Sequence, residues 1–165
     1  MQHCIAGASV WKFASVDGGV NPDVYGLLPF YPFLFTEVAF SCSVLVGIGV
    51  EVTFEVIAAA ALLRTCAPDL RVRVINVTDL FILADTGLHP HSLSADAFKV
   101  LFTEDKPIVI NYHGYPMEVK GLLFGRPNLG RVVVGGYQEE GTTTSPFDVC
   151  FSCISGFLFC LTRLR

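Results

Sequence analysis

Val44-Leu45-Val46-Gly47-Ile48-Gly49 is a short apolar run that carries two glycines at its end, and a second apolar segment, residues 51–65, follows directly. The run is typical of a strand buried on both faces of a sheet. The segment after it contains four consecutive alanines and stops near Pro68, as a helix does. Strand and helix patterns then alternate along the chain, which predicts a parallel sheet.

Three further strands and two further helices continue this pattern. The predicted strands are residues 71–77, 107–112 and 131–134, and the predicted helices are residues 95–102, with Ser94 as the N-cap, and 117–124. Right-handed crossovers stack such units into an open twisted sheet with helices on both faces. The sequence therefore predicts an α/β fold with three αβα layers and a mostly parallel sheet.

Length and charge limit the classes of function. A chain of 165 residues is long enough for one domain with a substantial core. The formal net charge of −4 argues against a nucleic-acid partner, and Lys and Arg form no polybasic run that would hold a membrane surface. The N-terminus Met1-Gln2-His3-Cys4 lacks the layout of a signal peptide, so a cytoplasmic location is expected.

Two segments depart from the pattern of the domain. Residues 24–43 are apolar and aromatic, with two prolines and the single charge Glu37, and residues 149–165 are apolar with cysteines and no acidic residue. The first is long enough to span a bilayer but lacks flanking basic residues. The alternatives to a membrane span are a buried insertion and translated non-coding sequence. Cys150 and Cys153 have metal-site spacing, yet zinc needs four ligands and no histidine is near, so we expect no metal there.

Histidines provide the first candidate functional residues. His89 and His91 lie in a loop expected at the carboxyl edge of the sheet, where they either bind phosphate and carry protons or satisfy backbone groups. His113 ends a predicted strand and has either a structural role or a contact with substrate or cofactor. Gly47 and Gly49 match part of a dinucleotide fingerprint, but its third glycine falls at Val52. A tight strand-to-helix turn is the alternative.

The loop after residue 135 is dense in polar, turn-forming residues. Glu139 and Glu140 are adjacent carboxylates for acid–base chemistry, and the hydroxyls of Thr142 to Thr144 with Gly141 are typical of an anion-binding nest. Alternatively, the threonines cap a helix that Pro146 begins. We favour capping and docking, because adjacent acids would repel the anion that the nest attracts.

Three groups of residues together carry a resemblance to a known family. They are His89-Pro90-His91-Ser92-Leu93-Ser94, Leu101-Phe102-Thr103-Glu104-Asp105-Lys106-Pro107, and His113-Gly114-Tyr115-Pro116 with the loop from Gly136 to Asp148. These sequence motifs resemble those of the C-terminal domain of the phosphoketolases. The resemblance covers most of residues 3–23 and 44–148. It divides the chain into an N-terminal segment of the domain, 1–23, a foreign insertion, 24–43, the α/β domain, 44–148, and a foreign tail, 149–165.

The resemblance implies a function for a longer protein. Phosphoketolases are aldehyde-lyases that cleave xylulose 5-phosphate or fructose 6-phosphate with inorganic phosphate to give acetyl phosphate. Their thiamine diphosphate and Mg²⁺ are held by other domains and across a homodimer. The resemblance therefore implies that this chain binds no cofactor or metal by itself, has no catalytic residue, and contacts the remaining domains and the dimer partner. It also implies a fold like the C-terminal domain of transketolases, incomplete at its C-terminus.

The residues of the family motifs are then candidates for structural or domain contacts. They are His89, His91, His113, Gly114, Tyr115, Pro116, Glu139, Glu140, Gly141, Thr142, Thr143, Thr144, Pro146, Phe147 and Asp148. Two classes of function follow. The chain is either a supporting domain of a lyase, inactive alone, or a non-catalytic α/β module that docks on the full-length enzyme. We interpret the two foreign segments as translated introns, each beginning at a valine, which indicates a eukaryotic source. The sequences of residues 114–118 and 122–127 resemble fungal members of the family.

Overall fold

The computed structural model describes residues 5–16, 42–68 and 70–137. Two short 3₁₀ segments, Leu80–Leu83 and Leu129–Arg131, lie between longer elements. In chain order the strands and helices are β1 Ala8–Val10, β2 Cys42–Ile48, α1 Val50–Cys66, β3 Arg71–Val77, α2 Ala95–Phe102, β4 Ile108–Tyr112, α3 Pro116–Leu123 and β5 Val132–Gly135. Every strand and helix predicted from residue 44 onward is present, with ends that differ by one or two residues.

The five strands form one mixed sheet in the order β1-β3-β2-β4-β5. The pairs β2–β3, β2–β4 and β4–β5 are parallel, and β1 pairs antiparallel with β3. The prediction of a mostly parallel sheet is confirmed. β1 was not predicted. The first two residues of β2, Cys42 and Ser43, pair with Arg71 and Val72, although the sequence had assigned both to the insertion.

Helices cover both faces of the sheet, as predicted. On one face, α1 packs Val56, Ala59 and Ala60 against side chains of the three central strands, which include Leu45 and Val74. On the other face, α2 and α3 pack against alternate residues of the same strands. That second cluster includes Val44, Val46, Ile75, Phe98, Phe102, Ile108, Ile110, Val119 and Leu123. β2 is therefore apolar along its length because both of its faces are buried.

Local signals in the sequence explain the helix starts. The Ser94 hydroxyl accepts a hydrogen bond from the Ala97 amide at 3.2 Å, which confirms the predicted N-cap of α2. Pro116 is the first residue of α3, where its missing N–H costs no helical hydrogen bond. α1 begins after Gly49 without a side-chain cap.

Arg126 fastens the loop after β3 to the segment after α3. The residue is 4% exposed, and its guanidinium lies 4.4 Å from the centre of the Phe98 ring. It donates hydrogen bonds to four backbone carbonyls, those of Ile82, Leu83, Ala84 and Leu93. Burial lowers the pKa of Arg126, and the Asp85 carboxylate acts in the opposite direction. One cation thus satisfies acceptors from two separate stretches of chain.

Replacing Arg126 by Met tests this clamp. Methionine keeps most of the side-chain volume but removes a donor from four carbonyls, of which those of Ile82 and Leu93 keep the Leu93 amide and the Thr86 hydroxyl. We therefore expect a loss of about 2 to 3 kcal/mol in the free energy of unfolding, measured by urea denaturation. Lys99→Met is the matched control, because the Lys99 ammonium pairs with Glu104 at the surface and should contribute within about 0.5 kcal/mol. Equal effects of the two substitutions would contradict the role given to Arg126.

Candidate functional site

The carboxyl ends of β2 and β4 are the place where this topology positions a site. β2 continues into α1 on one face of the sheet, whereas β4 continues into α3 on the other face. The two strands are neighbours, so the chain leaves them in opposite directions. In open α/β sheets such a switch point is the usual position of a ligand crevice.

In this protein the switch point is filled by the side chain of His113. The His113 amide donates to the Ile48 carbonyl at 2.8 Å, and Nδ1 lies 2.9 Å from Oε2 of Glu51. Gly49 has φ +114°, and a Cβ placed on it would lie 2.4 Å from the His113 Cβ. Glycine at position 49 therefore permits both the turn into α1 and the close approach of His113.

The contact closes the N-terminus of α1, which has 17 residues. A helix of this length carries a partial positive charge at its first turn, where anions commonly bind. Here the carboxylate of Glu51 lies in that turn and is paired with His113. The position that would suit an external anion is thus taken by groups of the chain itself.

The motif from His113 to Pro116 anchors the segment that follows β5. The Tyr137 amide donates to the Gly114 carbonyl at 2.9 Å. The Tyr137 ring meets the rings of His113 and Tyr115 edge to face, with centroid distances of 5.2 and 6.0 Å. A Cβ on Gly136 would lie 2.4 Å from the Gly114 oxygen. The structure thus brings the segment from His113 to Tyr115 together with Gly136 and Tyr137, the first two residues of the loop after β5.

Tyr112 lies beside this motif and bonds to α3. Its hydroxyl donates to Oε2 of Glu118 at 2.7 Å. That hydrogen bond to Glu118 raises the pKa of Tyr112, and burial acts in the same direction. The phenol therefore stays protonated and attaches the end of β4 to the first turn of α3.

A level of small and polar residues crosses the sheet just below the switch point. Asn76, Gly47, Asn111 and Gly135 are consecutive partners across β3, β2, β4 and β5. The Asn76 amide donates to Oγ1 of Thr53 at 3.0 Å. Asn111 is fully buried, and neither polar atom of its side chain has a hydrogen-bond partner among the described residues. Two asparagines at one level thus have opposite environments.

His89 and His91 form a separate cluster that follows β3. Nδ1 of His91 lies 2.7 Å from Oδ2 of Asp79, and the His91 amide donates to Nδ1 of His89 at 3.1 Å. The His89 ring stacks on Phe81 with a centroid distance of 4.2 Å. Both imidazoles are thus engaged with neighbouring groups. β2 separates β3 from β4 in the sheet, so these histidines belong to a different strand end from His113.

The remaining candidates lie outside the described residues. They are Glu139, Glu140, Gly141, Thr142, Thr143, Thr144, Pro146, Phe147 and Asp148. Within residues 5–16, 42–68 and 70–137, no group of three His, Cys, Asp or Glu side chains is arranged to hold a metal ion. The same residues contain no helix that is long and apolar enough to cross a membrane.

Four contributors to the switch point were not identified as site residues from the sequence. Glu51 was assigned to the body of a helix, Gly49 to a turn, Asn111 to a strand, and Tyr137 to the start of a loop. The one available signal was Asn111, a polar residue within the apolar run Ile108–Tyr112. The pairing of Glu51 with His113 joins residues far apart in sequence and has no local signal.

Comparisons with known proteins place the chain within a larger protein family. A family model described as XFP C-terminal domain matches residues 41–157. A probable phosphoketolase of Schizosaccharomyces pombe is 50% identical over 147 residues, which cover 89% of this chain and 15% of that protein. Probable phosphoketolases of Mesorhizobium japonicum and Nitrosomonas europaea are 44% and 43% identical, and each is covered to 16%. The chain thus spans about one sixth of the length of these relatives.

Substituting Gly49 by Ala tests the close contact at the switch point. The added methyl group would collide with His113 in a backbone conformation that favours glycine, so we expect a loss of about 2 to 3 kcal/mol in thermal or urea unfolding. Gly121→Ala is the control, because Gly121 lies within α3 with open space at its Cβ position. That substitution should stabilise the protein by about 0.5 to 1 kcal/mol. A neutral Gly49→Ala variant would contradict the geometry.

The two asparagines give a second matched pair. Asn111→Leu removes a buried amide without partners, so we expect the free energy of unfolding to rise by about 1 kcal/mol. Asn76→Leu removes the donor to Thr53 and should lower it by about 1 to 2 kcal/mol. Urea denaturation of both variants measures the difference. A comparable loss in both would mean that the Asn111 amide has a partner in solution.

Proposed function

Because this chain belongs to the phosphoketolase C-terminal domain family, we propose that it is the supporting domain of a phosphoketolase and is inactive on its own. The closed switch point carries this proposal: the crevice in which an α/β sheet commonly binds a ligand holds His113, Glu51 and Tyr137 of the chain itself. Residues that occupy such a position with internal contacts stabilise the domain.

We place the chemistry in the remainder of the parent enzyme. The proposed reaction is the cleavage of xylulose 5-phosphate or fructose 6-phosphate with inorganic phosphate, which yields acetyl phosphate and depends on thiamine diphosphate and Mg²⁺. Among the described residues, no group of three His, Cys, Asp or Glu side chains is placed to hold a metal ion. The domain would instead contact the remaining domains and the homodimer partner. A cytoplasmic location and a fungal source belong to the same proposal.

A chimeric enzyme tests the supporting role. The S. pombe relative would be prepared intact, without the segment that this chain matches, and with this chain in its place. Acetyl phosphate formation from xylulose 5-phosphate is then measured with thiamine diphosphate and Mg²⁺. We expect no activity from the chain alone, at least a tenfold loss on removal of the segment, and recovery in the chimera. Light scattering should likewise show dimers of the intact enzyme, fewer dimers after removal of the segment, and recovery of the dimer in the chimera.

Two outcomes would contradict the proposal. Thiamine-dependent acetyl phosphate production by the chain alone would make it a catalytic unit, and full activity without the segment would remove its supporting role. A complex between the chain and the intact relative would favour the alternative of a separate docking module. A second chimera, which joins Asp23 to Cys42 and so keeps all of β2, serves as control for the predicted insertion and should be at least as active as the first.

A further inference from the structure

Helix α1 is apolar on the side that faces away from the sheet as well as on the side that faces it. Its inner face buries Val52, Val56 and Ala60. Val50, Phe54 and Leu62 lie on the outer side and are 68%, 65% and 60% exposed. A helix at the surface of a complete globular protein normally has polar residues on its outer side, whereas a helix that is apolar all round is buried.

The exposed apolar residues of α1 form one continuous stripe. Its members are spaced by three, four or seven to eight residues and therefore share a helix face, and we call this set the outer stripe: Val50, Phe54, Ala58, Ala61 and Leu62. Ala58 and Ala61 are small, so the middle of the stripe allows close approach of another backbone. Phe54 and Leu62 project on either side of it.

The charges at the outer stripe indicate an apolar partner. The carboxylate of Glu51 is paired with His113 but stays 57% exposed beside the stripe, and Glu55 is a second acidic side chain near it. The exposed polar residues Arg64 and Thr65 follow at the C-terminal end of the helix. A partner surface that fits would be apolar with a basic group opposite Glu55. A partner surface rich in acidic or strongly hydrated groups would not match the outer stripe.

The size of the stripe favours a partner that is joined to this domain in one polypeptide. A helix of 17 residues is about 25 Å long and about 10 Å wide, so it offers about 250 Å². A stable complex between separate proteins needs about 800 Å² on each side. A tethered partner needs less, because the linker keeps its effective concentration near the millimolar range. About five sixths of the length of the relatives lies outside the part that this chain matches.

We propose that the outer stripe of α1 is the surface on which the remaining polypeptide of the parent phosphoketolase packs. The inference rests on the proposed function, because it assumes that this domain is one part of such an enzyme. The inference adds to that function the surface through which the domain contacts the rest of the enzyme. Of the exposed apolar residues in the described part of the chain, the stripe is the largest group on one helix; Met117 and Phe124 form a smaller set at the two ends of α3, and Leu88 and Val100 belong to two other segments.

Hydroxyl-radical footprinting of the chimeric enzyme tests the surface without any substitution. The chain supplies pairs of identical residue type with similar exposure: Phe54 with Phe124, Leu62 with Leu88, and Val50 with Val100. In the chimera we expect the first member of each pair to be oxidised at least tenfold more slowly than the second. Mass spectrometry measures both rates in the same sample.

Each other result would overturn the proposal. Rates within twofold for the pairs would mean that α1 has no preferred contact. Protection of Phe54 that increases with protein concentration, or that is equal in the isolated chain, would assign the stripe to a second copy or to the chain itself. The double variant Phe54→Lys with Leu62→Lys should lower the melting temperature of the chimera by several degrees more than Phe124→Lys with Leu88→Lys.

This test separates the surface from the function. If the chimera makes acetyl phosphate but the Phe54 and Phe124 rates agree, the supporting role stands and the surface is wrong. If the stripe is protected but the chimera gains no activity over the truncated enzyme, the contact is real and the supporting role is wrong. The two failures therefore have different signatures.

Discussion

The contact between Gly49 and His113 is the constraint on which the arrangement of the domain depends. β2 must end and α1 must begin within one residue, and the neighbouring strand β4 must end beside them. A positive φ at Gly49 makes the first turn possible, and the absence of a Cβ admits His113. The imidazole then reaches Glu51 in the first turn of α1. Backbone geometry, packing and charge pairing are thus satisfied at one position.

The level of small and polar residues below this contact fixes the register of the strands. A slip of one residue between β3 and its neighbours would move the Asn76 side chain away from Thr53 to the opposite face, among the apolar residues of α2 and α3. Gly47 and Gly135 flank Asn111 on the two neighbouring strands, and they add no side chain to the face of the sheet that α1 covers. Buried amides contribute less to stability than apolar side chains would, but they make alternative pairings more costly.

Much of the fold was predictable because its signals are local. β2 and β4 are largely apolar runs, β3 alternates Arg with Val before it becomes apolar, and Ser94 marks the start of α2 by its side-chain hydrogen bond. β1 was missed because a strand of three residues is too short to show a period. The site was predictable only in part. His113 was a candidate, but its partners Glu51 and Tyr137 are brought to it by the order of strands in the sheet, which sequence spacing does not specify.

The composition of α1 connects the fold with the function. A stripe of about 250 Å² left in water corresponds to about 6 kcal/mol as an upper estimate, at about 25 cal/mol per Å². The whole stability of a domain is about 5 to 15 kcal/mol. Covering α1 would therefore add a free energy comparable to what the domain has by itself. Under the proposed function, the domain would be stabilised by the enzyme that it supports, because α1, which forms one layer of the domain's own core, would also supply the surface of contact.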